Sequence, residues 1–433
     1  MTNIGNIEIQ DLFVGSAKVD AAYIGAVNVW VNKDAWTKVK YTVASGYSDW
    51  EGDIVGDLHG GFSPDWTHRP QPTAQIPNVA SADSIEIGTH VTSLGQLSFV
   101  NCTNLTNVTI PDSVLSIGLS AFGGCRGLTS ITIGDGVTSI DNNAFLSCTN
   151  LSEVTIPDSV TSLGGYAFRG CSGLTSVTIG DGLTSISNST FLSCSGLTSV
   201  TIPDGVTSIG QSAFRYCSGL TDVVVGNGVT SIGNSAFANC TRLSSVTIPP
   251  SLTSLSSNAF NGCNPIINVY ITDLAKWCDI SFGSDTANPL SYSTKFYLNG
   301  VELTEMTIPN GVTEIKNYAF DGFSTMTSLT IPNTVTSIGM SGFNSCSGLT
   351  SVTIPNSVTS IASGAFMHCS GLTSATIGSG VTSIGLNAFT SCKSLTSVTF
   401  VGKDMATVQG MANYSWGLKT GCVLHCTDGD ITL

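Results

Sequence analysis

The sequence predicts a β-rich solenoid of parallel strands, stacked in 23-residue rungs, with a small β module at the N-terminus. Three observations predict it. Phenylalanine recurs at Phe99, Phe122, Phe145, Phe168, Phe191, Phe214, Phe237 and Phe260, each 23 residues after the last, and with the same step at Phe320, Phe343, Phe366 and Phe389. The apolar positions between these are also fixed, and in the rung 197–219 they are Leu197, Val200, Ile202, Val206, Ile209, Phe214 and Cys217. The composition, with 47 glycines and 10% charged residues in 433, suits an extended repeat better than two or three globular domains.

Within that rung Val200 and Ile202 alternate with Thr201, as a short strand with one buried face requires. Pro203, Asp204 and Gly205 form a turn. A second extended piece covers 206–209, and Gly210 leads into a tight segment that carries Ala213, Phe214 and Cys217 inward. One rung cannot bury enough apolar surface to order itself. Stacking covers its open faces and supplies parallel-strand hydrogen bonds, so stability is collective.

The motif LxxLxL followed by VxxIgxxAFxxC resembles the BspA-like class of leucine-rich repeats over 83-265 and 303-400. That resemblance implies a leucine-rich-repeat solenoid. It also implies adhesion or binding with diverse partners, as in bacterial surface proteins, some protists and phage-related proteins.

Taken in order, residues 1-30 form an N-terminal β anchoring module. Gly5, Gly15 and Gly25 are ten apart, as are Ile9, Val19 and Val29, and the near copies LFVGSAKVDA and AYIGAVNVWV imply three short β units. The segment is similar to N-terminal segments of tailed-phage virion proteins, and the alternative is a plain β-hairpin cap. Residues 31-82, with Trp36, Trp50 and Trp66, read as a linker or an N-terminal cap. Asp49, Glu51, Asp53 and Asp57 lack the glycine and terminal glutamate of an EF-hand and read as a solvated acidic turn.

The first solenoid block is 83-265. Eleven cysteines across the two blocks sit three residues after the repeat phenylalanine. Side chains in one phase point in parallel, which opposes the disulfide dihedral, so a column of free buried thiols is expected; Phe323 takes the slot once. Thr109, Thr132, Thr155 and their successors form an outward column. Asp112, Asp135, Asp158, Asp181 and Asp204 form another at the turn, read as turn preference before a divalent-ion site.

The step from Phe260 to Phe320 is 60 residues and marks an insertion, 266-302. A helix is expected around Leu274 to Cys278 and a hairpin over Phe296 to Leu303, turned on Asn299-Gly300. Tyr270, Trp277, Tyr292 and Tyr297 are expected on a bulge on one face. The second block is 303-400. In the C-terminal cap, 401-433, Asp404 N-caps a helix from Met405 to Met411, and a terminal strand covers the last rung. Cys422, His425 and Cys426 lack a fourth ligand, so no metal is expected there.

Fifteen Lys and Arg against 29 Asp and Glu, a net charge of -14, argue against nucleic acid as partner. No apolar run approaches the ~18 residues of a membrane span. The opening MTNIGNIEIQ lacks a basic and an apolar region, so no secretory signal is expected in it. The five histidines belong to no catalytic motif, and phosphate loop and serine elbow are absent; a non-enzymatic protein without cofactor follows. Variation inside the repeat concentrates around the phenylalanine. Tyrosine and arginine are enriched in binding hot spots, so Tyr166, Arg169, Arg215, Tyr216, Tyr318 and His368 are the candidate binding residues. Joined to the phage-like segment, these features read as a virion appendage or decoration protein. Residues 1-30 then hold other virion proteins and a homo-oligomer, a trimer, while the solenoid meets host-surface glycan or protein. The alternatives are a bacterial cell-surface adhesin and an intracellular interaction scaffold.

Overall fold

The computed structural model describes residues 84–433 apart from 89, 90, 265 and 412–415, and before residue 84 the backbone of eight short strands. The chain is a parallel-strand β-solenoid of about 14 turns at 23-residue spacing, and it divides into two units, Met1–Leu197 and Thr198–Leu433.

The first unit opens with three antiparallel hairpins, Thr2–Ile4 with Ile7–Ile9, Leu12–Val14 with Ala17–Val19, and Tyr23–Ile24 with Val27–Asn28. Lys38–Thr42 pairs antiparallel with Trp50–Asp53 and, on its other side, with Ser84–Ile87. The solenoid proper then stacks Asn107–Ile110, Ser130–Ile133, Glu153–Ile156 and Ser176–Ile179 into one parallel sheet, with outward polar residues alternating with buried Val and Ile. Two-residue strands at 93–94, 116–117, 139–140 and 162–163 form a second. Between the sheets Phe99, Phe122, Phe145, Phe168 and Phe191 are fully buried and stack at centroid distances from 5.1 to 5.5 Å, close to the strand spacing that sets them.

The cysteine column has a chemical reason beyond size. The Cys125 thiol donates to the Phe99 carbonyl at 3.0 Å, Cys148 to Phe122 at 3.2 Å and Cys171 to Phe145 at 3.1 Å. The same Phe99 carbonyl accepts the Cys102 N–H, so its second lone pair is served from the next turn. Adjacent thiols and burial push Cys148 well above the ordinary thiol range. Iodoacetamide at pH 8 is therefore expected to leave the column unmodified in the native protein and to alkylate it only after unfolding, as peptide mass mapping would show.

The turns alternate in chemistry. Turns built on Pro111 and Pro157 are followed by turns built on Gly134 and Gly180, and the Asp112 and Asp158 carboxylates each accept, at 2.9 Å, the backbone N–H of Asp135 and Asp181 in the next turn. The acidic column is thus a set of braces between pairs of turns. Among the described residues no group of three or more His, Cys, Asp or Glu is placed to hold a metal.

In the second unit the sequence insertion proves to be an enlarged turn. Ile266–Ile271 pairs parallel with Ser245–Thr247, Ser293–Leu298 with Ile266–Ile271, and Ser281–Phe282 with Ser254–Leu255, so both sheets extend into it. Asp273 caps the helix Leu274–Asp279, its carboxylate accepting the Lys276 N–H at 3.0 Å. Trp277, expected on an outward bulge, is buried. Leu274, Trp277 and Cys278 share the inward helical face, the indole ring lies 5.0 Å from Phe296, and its Nε1–H donates to the Ala319 carbonyl at 2.9 Å. Tyr270 and Tyr297 remain in the outward column, stacked at 4.8 Å. Asn299 and Gly300, at φ 50° and 79°, turn the hairpin onto Val301–Glu302, which ends this sheet; a new parallel sheet starts at Glu305–Thr307. Phe323 stands in the cysteine slot because it meets Phe296 edge-on, at 5.5 Å.

At the C-terminal end the Asp404 carboxylate accepts the Thr407 N–H at 2.7 Å and caps the helix Met405–Met411. Val423–Cys426 joins the last solenoid strand, Ser397–Phe400, in parallel, and Gly429–Thr432 closes the sheet antiparallel. His425 Nδ1 lies 2.9 Å from the Asp430 carboxylate across this hairpin. Among the described residues no helix is long and apolar enough to cross a membrane.

Candidate functional site

The candidate residues sit on the edge of each turn that carries the phenylalanine. There the backbone is unusual. In every turn with a repeat phenylalanine, the residues two before and two after it adopt the left-handed conformation, with φ between 50° and 83°. The cause is inter-turn bonding: Tyr166 N–H donates to the Asn188 carbonyl at 3.1 Å, Tyr216 to Ala238 at 2.9 Å, Tyr318 to Met340 at 2.9 Å and His368 to Thr390 at 2.8 Å. The stacked backbone aims these N–H groups, and the side chain must accept the torsion that results.

Nearly all of these slots hold Ser, Asn or Gly, which tolerate positive φ well or carry little bulk. The departures are Leu97, Tyr166, Tyr216, Tyr318 and His368. A bulky residue held left-handed costs about 1–2 kcal/mol, so these side chains are retained against a local preference for Ser or Asn. Tyr166 and Tyr216 are 39% and 45% exposed, which rules out core packing as the compensation.

The structure joins Arg169 to Tyr166, its guanidinium carbon 5.6 Å from the ring centroid. It joins Arg215 to Tyr216 more closely, at 4.7 Å, with an arginine N–H donating to the tyrosine hydroxyl at 3.0 Å. Tyr318 instead reaches its neighbouring turn, its hydroxyl 3.4 Å from Met340 Sδ, and His368 is exposed. Burial raises the Tyr318 phenol above its ordinary range, with Asp285 and Asp321 adding to the effect.

Sequence reasoning missed two residues here. Leu97 occupies the same slot as Tyr166, and aligning that column would have exposed it. Asp321 follows Phe320 in the slot that holds exposed Arg169 in another turn, yet it is 3% exposed. The enlarged turn covers it: the Ser291 hydroxyl reaches its carbonyl at 3.5 Å, and a Cβ on Gly322 would fall 2.5 Å from Ser291 Cα. Asn344 donates to the Asp321 carboxyl at 2.9 Å, while Asn344 Oδ1 and Thr325 Oγ1 are buried without partners.

Burial pushes Asp321 up to about 7, opposed by the Asn344 hydrogen bond and reinforced by Asp285. Between its ordinary value near 3.8 and about 7 the folded chain holds a proton that the unfolded chain has lost. Its contribution to stability therefore falls as pH rises through that window. Asp321→Asn is expected to flatten the decline of melting temperature between pH 5 and pH 8 measured by differential scanning calorimetry.

Repeated 23-residue turns with buried phenylalanine and cysteine columns define a leucine-rich-repeat solenoid. The chain belongs to the BspA-type leucine-rich repeat family, whose model matches residues 77–197, 138–267 and 292–416. Among solved structures, a leucine-rich repeat protein from Bacteroides ovatus is 24% identical, over 89% of this chain and 97% of that one, with a TM-score of 0.60, and it shows the same fold. A leucine rich cell surface protein from Faecalibacterium prausnitzii is 24% identical over 90% of this chain and 97% of that one, with a TM-score of 0.41. The leucine-rich repeat protein of T. pallidum is 30% identical over 39% of this chain and 74% of that one, with a TM-score of 0.34. A comparison with curated proteins finds no match. The likeness of residues 1-30 to tailed-phage proteins gains no support from any of these comparisons.

Proposed function

We propose that the chain is a non-enzymatic binding protein displayed at a bacterial cell surface, an adhesin in role, with the phenylalanine edge as its contact surface. The observation that carries this reading is the set of bulky, exposed side chains held left-handed where the fold favours Ser, Asn or Gly. Membership of the BspA-type leucine-rich repeat family, which the sequence motif associates with adhesion or binding to diverse partners, supports it. The cell-surface reading replaces the virion reading, whose phage-like segment at residues 1-30 gains no support from the comparisons. The test is antibody labelling of intact, unpermeabilised cells of the source bacterium, with an adhesion assay on a deletion strain. Surface labelling and reduced adhesion are expected. Labelling only after permeabilisation, or recovery of the chain in purified phage particles, overturns the proposal.

A further inference from the structure

We propose that each exposed tyrosine–arginine pair, Tyr166 with Arg169 and Tyr216 with Arg215, is a binding platform for an anionic saccharide unit. This rests on the surface-binding reading above and names the chemistry of its partner. The exposed tyrosine face suits the apolar C–H face of a pyranose, and the guanidinium suits a carboxylate or sulfate on the same residue of the glycan.

Three observations point to an anion. In a chain of net charge -14, neither Arg169 nor Arg215 pairs with a carboxylate among the described residues; both lie against tyrosine. Arg215 Nε is buried without a hydrogen-bond partner, so the terminal N–H groups of the guanidinium, held by the ring and by the tyrosine hydroxyl, are the ones left to donate to a ligand. Positive charge is also confined along the turn. Between residues 84 and 197 the sole Lys or Arg are Arg126 and Arg169, each within four residues after a phenylalanine, whereas the acidic residues are spread over turn, strand and phenylalanine segment. In this stretch a polyanion meets positive charge only on the phenylalanine edge.

The experiment is biolayer interferometry of the full chain against three immobilised probes: hyaluronan, which carries carboxylates, dextran sulfate, which carries sulfates, and neutral dextran. The wild type is compared with Tyr166→Asn/Tyr216→Asn and with Arg169→Gln/Arg215→Gln, each with a thermal melt. Binding to an anionic probe and not to dextran is expected, and the probe that binds identifies the anion. Each double variant is expected to weaken binding at least tenfold. The tyrosine variant is expected to melt no lower than the wild type, because asparagine suits the left-handed slots, so its lost binding cannot be charged to unfolding. Equal binding to dextran, no binding to either anionic probe, or unchanged binding by both variants overturns the proposal. Cells that display the chain and adhere without any anionic-glycan binding overturn this inference alone. A glycan-binding chain retained inside the cell overturns the surface reading alone.

Discussion

Phe343→Ala is expected to lower the stability of the protein by about 3–5 kcal/mol, the upper range for truncating a buried aromatic. Phe343 is fully buried and stacked between Phe320 at 5.4 Å and Phe366 at 5.3 Å. Truncation removes ring contacts on both faces, and the stacked backbone cannot collapse into the gap because its spacing is fixed by inter-turn hydrogen bonds. Since no turn is stable without its neighbours, the loss spreads along the repeat. Urea unfolding followed by far-UV circular dichroism should show a lower midpoint. An unchanged midpoint would mean that the ring column is filler and that the strands alone hold the stack.

Gly182→Ser is expected to cost about 3 kcal/mol, the high end for overpacking, because the obstacle is backbone. A Cβ at Gly182 would overlap the Asp158 carbonyl oxygen and fall 2.9 Å from the Val160 carbonyl oxygen. One turn earlier the same column holds Ser159, whose hydroxyl donates to the Val137 carbonyl at 2.7 Å. The reverse change, Ser159→Gly, is expected to cost only about 1 kcal/mol, the value of one hydrogen bond and some backbone entropy. Melting temperatures of the two variants measured side by side test the asymmetry. Equal effects would remove the distinction between proline-built and glycine-built turns.

That asymmetry shows where legibility in the sequence stops. The alternation of PDS and GDG at the turn is plain in the letters, but its reason is not: Gly182 is small because Asp158, 24 residues away, is braced against Asp181. Asp321 is similar. Its slot is exposed where Arg169 fills it, and only the enlarged turn at Ser291 buries it. An insertion in the sequence suggests an excursion from the stack and places Trp277 outward, whereas strands of both sheets, Ile266–Ile271, Ser281–Phe282 and Ser293–Leu298, lie within that segment.

The candidate edge is legible from variation alone, since Tyr166, Tyr216, Tyr318 and His368 break columns that, Leu97 apart, are otherwise Ser, Asn or Gly. What made them costly was invisible, because φ depends on which carbonyl the next turn presents. The solenoid, its 23-residue period, the inward phenylalanine and cysteine columns and the capped C-terminal helix are legible in the letters alone, because periodicity and local capping involve residues near in the chain. The left-handed slots, the carboxylate braces and the burial of Trp277 and Asp321 come from the tertiary structure. Each of these is set by a hydrogen bond, a ring contact or a covering residue, and nearly all of those partners lie a turn or more away, beyond the reach of any local preference.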